Sequence, residues 1–193
     1  MKIIALGHKK RQFKDRFAQV LREHLRALRR TGKSGVNTYA LITPVKSAAT
    51  RMFGIYNIDA IDKDMVMPEV GMTPRRVWIM LANDMRKHVS SRFLVDIFIR
   101  MTETQADCLE SDIWIIFDLR FQEEVNRLRE FDTKFVKVVR EDFHAPSDEC
   151  DSNLEQWHGW DDEVRFSRDA SNAELEQIAA QWITANKEWL QEC

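Results

Sequence analysis

Glycine is scarce in this chain, six in 193 residues, and proline scarcer still at four. That excludes collagen-like and low-complexity architectures and leaves few positions where the backbone turns left-handed without strain. Cysteine is confined to Cys108, Cys150 and Cys193, odd in number, widely spaced and in no C-x-x-C pattern. Such usage argues for a reducing cytoplasm rather than a disulfide framework. The five histidines, His8, His24, His88, His144 and His158, show no H-x-x-x-H or mixed Cys/His spacing, so no structural zinc is expected. No G-x-S-x-G elbow offers an acyl-transfer nucleophile. No apolar run approaches the ~20 residues that cross a bilayer, and Ile3 to Leu6 is too short for a signal peptide's core. Neither sign of charge dominates: 29 basic residues against 31 acidic ones leave a formal charge of -2. A membrane or nucleic-acid partner is therefore not expected, and any anion binding must be local.

What is present centres on Met1 to Leu21, MKIIALGHKKRQFKDRFAQVL. A short apolar run, Ile3 to Leu6, meets Gly7 and a knot of cations, Lys9, Lys10, Arg11, Lys14 and Arg16, opposed only by Asp15. Strand, loop and amphipathic helix in that order build an anion site, because the amides of the loop and of the first helical turn converge with partial positive charge. The phosphate-loop motif G-x-x-x-x-G-K-[ST] wants glycine where backbone approaches phosphate and a hydroxyl that holds Mg²⁺. Counting back from Lys14, Phe13 stands in the second glycine position and His8 in the first, while Arg16 stands where a nucleotide kinase variant carries the metal-binding threonine.

Leu6 to Ala18, LGHKKRQFKDRFA, resembles the loop of bacteriophage deoxynucleoside monophosphate kinases and, more distantly, of animal phosphomevalonate kinases, whose pattern runs S-G-x-[KR]-[RK]-S-G-K-D-[TF]. Three further blocks resemble the same family in the same order: Leu41 to Ala48, LITPVKSA; Thr73 to Asp84, TPRRVWIMLAND; and Ile115 to Arg140, IIFDLRFQEEVNRLREFDTKFVKVVR. The resemblance implies an α/β protein with the three-layer α/β/α fold of P-loop nucleotide kinases and about five parallel strands. It also implies ATP or another nucleoside triphosphate as donor, with Mg²⁺, and phosphoryl transfer to a deoxynucleoside monophosphate. The donor would be held by His8, Lys9, Lys10, Arg11, Phe13, Lys14, Asp15, Arg16 and Arg140. Lys14, Arg11, Asp118 and Arg120 would serve the reaction, Asp15 and Asp118 the metal through water, and Lys46, Arg75 and Arg76 the acceptor.

With 44% hydrophobic residues the chain suits one domain, 1–193, with an acceptor-site or interaction insertion at 54–104 and a lid at 141–162. Helical spacing of Phe17, Val20, Leu21, Leu25 and Leu28 predicts a helix through Arg30. The G-K-S within Thr31 to Gly35 follows a helix rather than a strand and reads as a turn. Val36 to Ile42 reads as the second strand, with Pro44 in the first turn of a helix. Thr73 with Pro74 starts a helix whose buried stripe is expected at Val77, Met80, Leu81 and Met85. Arg75 and Arg76 face its dipole, which suits a phosphate, unless they point to solvent or pair with the acids of the preceding loop. Another helix is capped by Ser90 or Ser91. Asp112 to Phe117 reads as a buried central strand ending in Asp118, Leu119 and Arg120, beyond which ligands of open α/β sheets bind. Asp118 is either a metal-organising carboxylate there or the cap of the helix that starts near Phe121. Phe135 to Val139 and Glu163 to Phe166 are the last strands, and Ser171 with Glu174 predicts a capping box.

Two function classes remain open. One is a deoxynucleoside monophosphate kinase of the cytoplasm, the host's if the source is viral, acting on nucleotides and open to homodimer formation. The other is a kinase-fold protein that has lost the reaction and binds a host or viral partner.

Overall fold

A computed structural model of the protein describes residues 1–8, 12–29, 35–54, 62–104, 113–143, 154 and 156–191. It divides into two compact units, Met1–Ala40 with Thr102–Cys193, and Leu41–Met101.

The first unit is built on a five-stranded, all-parallel sheet. Its strands are β1 (Lys2–Gly7), β2 (Val36–Tyr39), β3 (Ile113–Leu119), β4 (Asp132–Arg140) and β5 (Asp162–Phe166), and their spatial order is β2-β3-β1-β4-β5. β1 is buried along its whole length because it is covered on both faces and paired on both edges, which is why KIIALG reads as a run rather than an alternation. At that buried end the Lys2 side chain is paired with Asp132, 2.7 Å away.

One face carries α1 (Lys14–Leu28) and α6 (Asn172–Ala185). Phe17, Leu21 and Leu25 of α1 and Leu175, Ala179, Trp182 and Ile183 of α6 form a single core with Ile4, Leu6, Ile115, Val136, Val138, Val164 and Phe166 of the strands. Phe17 meets Phe166 edge-on at 5.2 Å. The path from β1 through α1 to β2 runs one way across the sheet, and the path from β3 through α5 (Gln122–Leu128) to β4 runs the other. Right-handed crossovers in opposite directions lie on opposite faces, so α5 covers the face that α1 and α6 leave. The short helix α7 (Lys187–Gln191) ends the described chain, with the Trp189 indole donating to Asp132 at 2.6 Å.

The second unit contains α2 (Thr43–Phe53), α3 (Pro74–His88) and most of α4 (Phe93–Thr104), which runs on into the first unit at Thr102. α2 packs against α3. Thr73 caps α3 as expected, its hydroxyl accepting from the Arg76 amide at 3.2 Å.

Several boundaries differ from those read in the sequence. β2 stops at Tyr39 because Ile42 is already the N-cap of α2. β4 starts at Asp132, three residues early, its polar opening pinned by Lys2. The buried face of α3 is Pro74, Val77, Trp78 and Ala82, and Met80, two residues on from Trp78 and so on the far side of the helix, is exposed. Leu28 is exposed at the last turn of α1. Only half of the box at α6 forms: Ser171 accepts from the Glu174 amide, but the Glu174 carboxylate turns to the amide and hydroxyl of Ser167, both at 2.7 Å. No helix among the described residues is long and apolar enough to cross a membrane.

Candidate anion-binding site

In the order β2-β3-β1-β4-β5, the connections leaving the neighbours β1 and β3 diverge to opposite faces. Between their carboxyl ends lies the crevice where open α/β sheets take ligands. The ends themselves are joined, Gly7 opposite Leu119 after a register shift in the β1 to β3 ladder. The sequence therefore brings Gly7, His8 and Asp118 to one place.

The two residues that flank the undescribed part of the β1 to α1 connection, His8 and Phe13, have glycine-like backbone without being glycine. Among the described residues three non-glycine residues have positive φ, and two of them are His8 at 94° and Phe13 at 59°, the positions where the phosphate-loop pattern wants glycine. A left-handed conformation costs a residue with a Cβ about 1–2 kcal/mol, so the surroundings must hold it. Phe13 serves as the N-cap of α1, its carbonyl accepting from the Phe17 amide at 2.8 Å. Its ring turns to the core cluster and to two guanidinium groups, Arg140 at 4.3 Å and Arg16 at 5.0 Å. Lys14, the next residue, is buried although it is a cation in the first turn of a helix, where the dipole disfavours it and an anion would offset it. Asp15 beside it is exposed and complements the dipole. Lys9, Lys10 and Arg11 lie outside the described residues.

Arg16 and Arg140 are tied within the protein. Arg16 donates to the Asn172 side chain at 2.7 Å, joining the start of α1 to the start of α6. Arg140 donates through Nε to the Arg168 carbonyl, lies 3.7 Å from the Asp169 carboxylate and has the Phe143 ring 4.3 Å from its guanidinium.

On the β3 side, Asp118 belongs to the strand, and the N-cap of α5 is Phe121, so Asp118 is not the helix cap. Capping falls instead to Glu124, which is buried and accepts from the amides of Arg120 at 3.0 Å and Phe121 at 3.1 Å. This carboxylate fixes the turn that carries Arg120. It escaped the reading of single residues, although a Glu three positions after the cap is half of a capping box. Tyr39, at the end of β2, was also missed. Burial, and then the negative charge of Asp118, push its hydroxyl up to about 12, so it stays a neutral donor and acceptor beside that carboxylate.

The opening of the loop is covered by tryptophan. Trp160 lies against Gly7 so closely that a Cβ there would stand 2.9 Å from its Cζ3. Trp160 stacks edge-on with Trp157 at 4.5 Å, and Trp157 with Phe135 at 5.4 Å. These residues end the stretch expected as a lid; 144–153 and 155 lie outside the described residues.

Within the second unit, Lys46 at the start of α2 lies over the Trp78 ring at 5.0 Å. Arg75 holds Asp64 with two bonds, 2.6 and 3.2 Å, so one of the preceding acids is its partner. Arg76 is exposed. Residues 55–61, in the expected insertion, lie outside the described residues.

Among the described residues no group of three or more His, Cys, Asp or Glu side chains gathers as a metal site. A magnesium cage built by protein needs several such oxygens together, and Asp118 at the strand end supplies one carboxylate. Compared with protein-family models and with curated protein sequences, the chain matches none.

Proposed function

We propose that the protein is a nucleotide-binding phosphotransferase of the P-loop kinase type, taking a phosphoryl group from a nucleoside triphosphate to a deoxynucleoside monophosphate. The observation that carries this reading is the pair of positive φ values at His8 and Phe13, in the connection from the central strand to α1. A chain that had abandoned phosphate binding has no reason to bear that strain at both glycine positions. The burial of Lys14 in the first helical turn and the placement of Asp118 at the neighbouring strand end support it. The choice of acceptor rests on the resemblance in four sequence blocks alone.

An oxygen of the acceptor monophosphate attacks the γ-phosphorus. The new P–O bond forms as the bond to the β,γ-bridging oxygen breaks, and its electron pair leaves with the nucleoside diphosphate. The attacking dianion has no proton to lose, so the protein's work is positioning and charge stabilisation. Lys14 and the α1 amides hold the β and γ phosphates, and the resemblance adds the charges of Arg11 and Lys10. Arg120, on the turn that Glu124 fixes, faces the developing charge. Lys46, Arg75 and Arg76 serve the acceptor, with Arg75 exchanging Asp64 for its phosphate. Bound Mg²⁺ would neutralise phosphate charge.

A second reading has its own observation. Arg16, in the slot of the metal-binding hydroxyl, is committed to Asn172. That favours a protein which binds a polyphosphate anion and does not transfer it, acting on a partner instead. Phosphoryl-transfer assays across donors and the four deoxynucleoside monophosphates decide between the two. The kinase reading expects turnover that falls at least ~100-fold in Lys14→Ala. Triphosphate binding without turnover supports the second reading, and no binding at all ends both.

A further inference from the structure

We infer that Phe13 is a positioning residue for Lys14, one half of a clamp that does for the start of α1 what glycine does in an ordinary phosphate loop; this rests on the reading of the start of α1 as an anion site. On sequence grounds Phe13 is a lesion, a ring where bare backbone belongs. The geometry points the other way. Its backbone already has the left-handed conformation, and its ring faces the core cluster and Arg140. The residue before it joins in: Gln12 is 3% exposed, and its side-chain oxygen accepts from the backbone amide of Arg140. Two consecutive loop residues therefore grip one residue at the end of β4, Gln12 by its main chain and Phe13 by its side chain.

Arg140 is made immobile for that purpose. Its guanidinium has aromatic rings at 4.3 Å from both Phe13 and Phe143, and its edges meet the Arg168 carbonyl and the Asp169 carboxylate. A planar cation enclosed this way is a strut, suited to stacking in a way lysine is not. Arg140 thus acts on a bound anion through the loop and does not touch it. The clamp sets the direction in which α1 begins, and with it the first-turn amides and Lys14.

The test uses the full chain with inorganic tripolyphosphate as probe, followed by calorimetry, and thermal midpoints measured alongside. Phe13→Gly relieves the backbone and removes the ring. The clamp requires it to weaken tripolyphosphate binding about five- to thirtyfold, the size of a desolvated cation–π contact. Arg140→Ala should weaken binding equally, the double variant no further, and Phe13→Tyr should bind as the parent does. If Arg140→Ala does not fold, Arg140→Gln keeps most of the volume and should show the same loss. A merely structural role would lower the thermal midpoint and leave affinity at the parent's value, which overturns the proposal. So does tighter binding by Phe13→Gly, the signature of a relieved lesion. If the parent itself binds no tripolyphosphate, the anion reading falls and the clamp with it; tight parent binding with an indifferent Phe13→Gly overturns the clamp alone.

Discussion

The indole of Trp160 rests on the α-carbon of Gly7, and no side chain fits between them. Gly7 is not one of the glycines with positive φ, so its requirement comes from this close approach and not from backbone freedom. Gly7→Ala should cost about 1–3 kcal/mol of stability through overpacking. In a Trp160→Leu background the same change should cost much less, because the two sites share one volume. Urea midpoints at unchanged m measure both cycles; an equal cost in each background would separate the two residues.

Glu124 is a buried carboxylate whose role is to hold two backbone amides. Glu124→Ala removes their acceptor and should destabilise the protein by about 1–3 kcal/mol per amide. Glu124→Gln keeps an oxygen in place without its charge and should lose less. Amide hydrogen exchange at Arg120 and Phe121 reports the event directly. Exchange there as slow in Glu124→Ala as in the parent would mean that the turn is held by other contacts.

Acid should loosen the edge of the sheet where β4 begins. Burial pushes the Asp132 carboxyl up, but hydrogen bonds from Lys2 and Trp189 and the charges of Lys2 and the amino terminus outweigh it and hold the group below its ordinary range. A carboxylate depressed in the folded state adds stability above its unfolded pKa of about 3.9, and that stability drains away as pH falls through the folded value. Asp132→Asn should therefore lower stability at neutral pH and approach the parent's in strong acid. Denaturation curves across that range check it, and a difference independent of pH would contradict it.

Tyr39 offers the opposite sign. Its hydroxyl, held up to about 12 by burial and then by Asp118, keeps its proton past the point where an unfolded tyrosine loses it near 10. Stability from this group is complete below the unfolded value and is lost as pH rises through the folded one. Asp118→Asn removes the smaller cause and should bring the Tyr39 midpoint down without restoring the ordinary one. Phenolate absorbance, assigned by Tyr39→Phe, follows the titration. An unmoved midpoint in Asp118→Asn would mean that this carboxylate does not act on the ring.

The frame of the sheet was legible because period and composition are local. Ile3 to Leu6 and Asp112 to Phe117 read as strands, Asp112 itself lying outside the described residues, and Thr73 with Pro74 and Ser171 marked helix starts that the structure keeps. What the sequence hid was where side chains go once distant segments meet. Glu174 has a good capping partner three residues away and takes Ser167 instead, because the turn after β5 brings that residue within reach. Gln12 and Arg140 are 128 positions apart, and no pattern on either side announces their bond. Phe13 is the clearest instance. Its identity argued against a phosphate loop, while its backbone has the left-handed angle that glycine favours and its ring lies against Arg140, an environment the sequence does not announce. Met80 was misassigned for a simpler reason: it lies two residues from Trp78, about 200° around the helix, and so falls off the stripe that Val77, Trp78 and Ala82 bury.

The first strand sits at the middle of the sheet, with Lys2 opposite Ile113 on one side and Asp132 on the other. Its neighbours are thus far away along the chain, and such distant pairing makes assembly slow. On a translating ribosome the segment that begins the loop has emerged long before either flank exists to frame it. Until the residues of β4 emerge, Gln12 and Phe13 lack the arginine they hold, and the start of α1 is left without a frame.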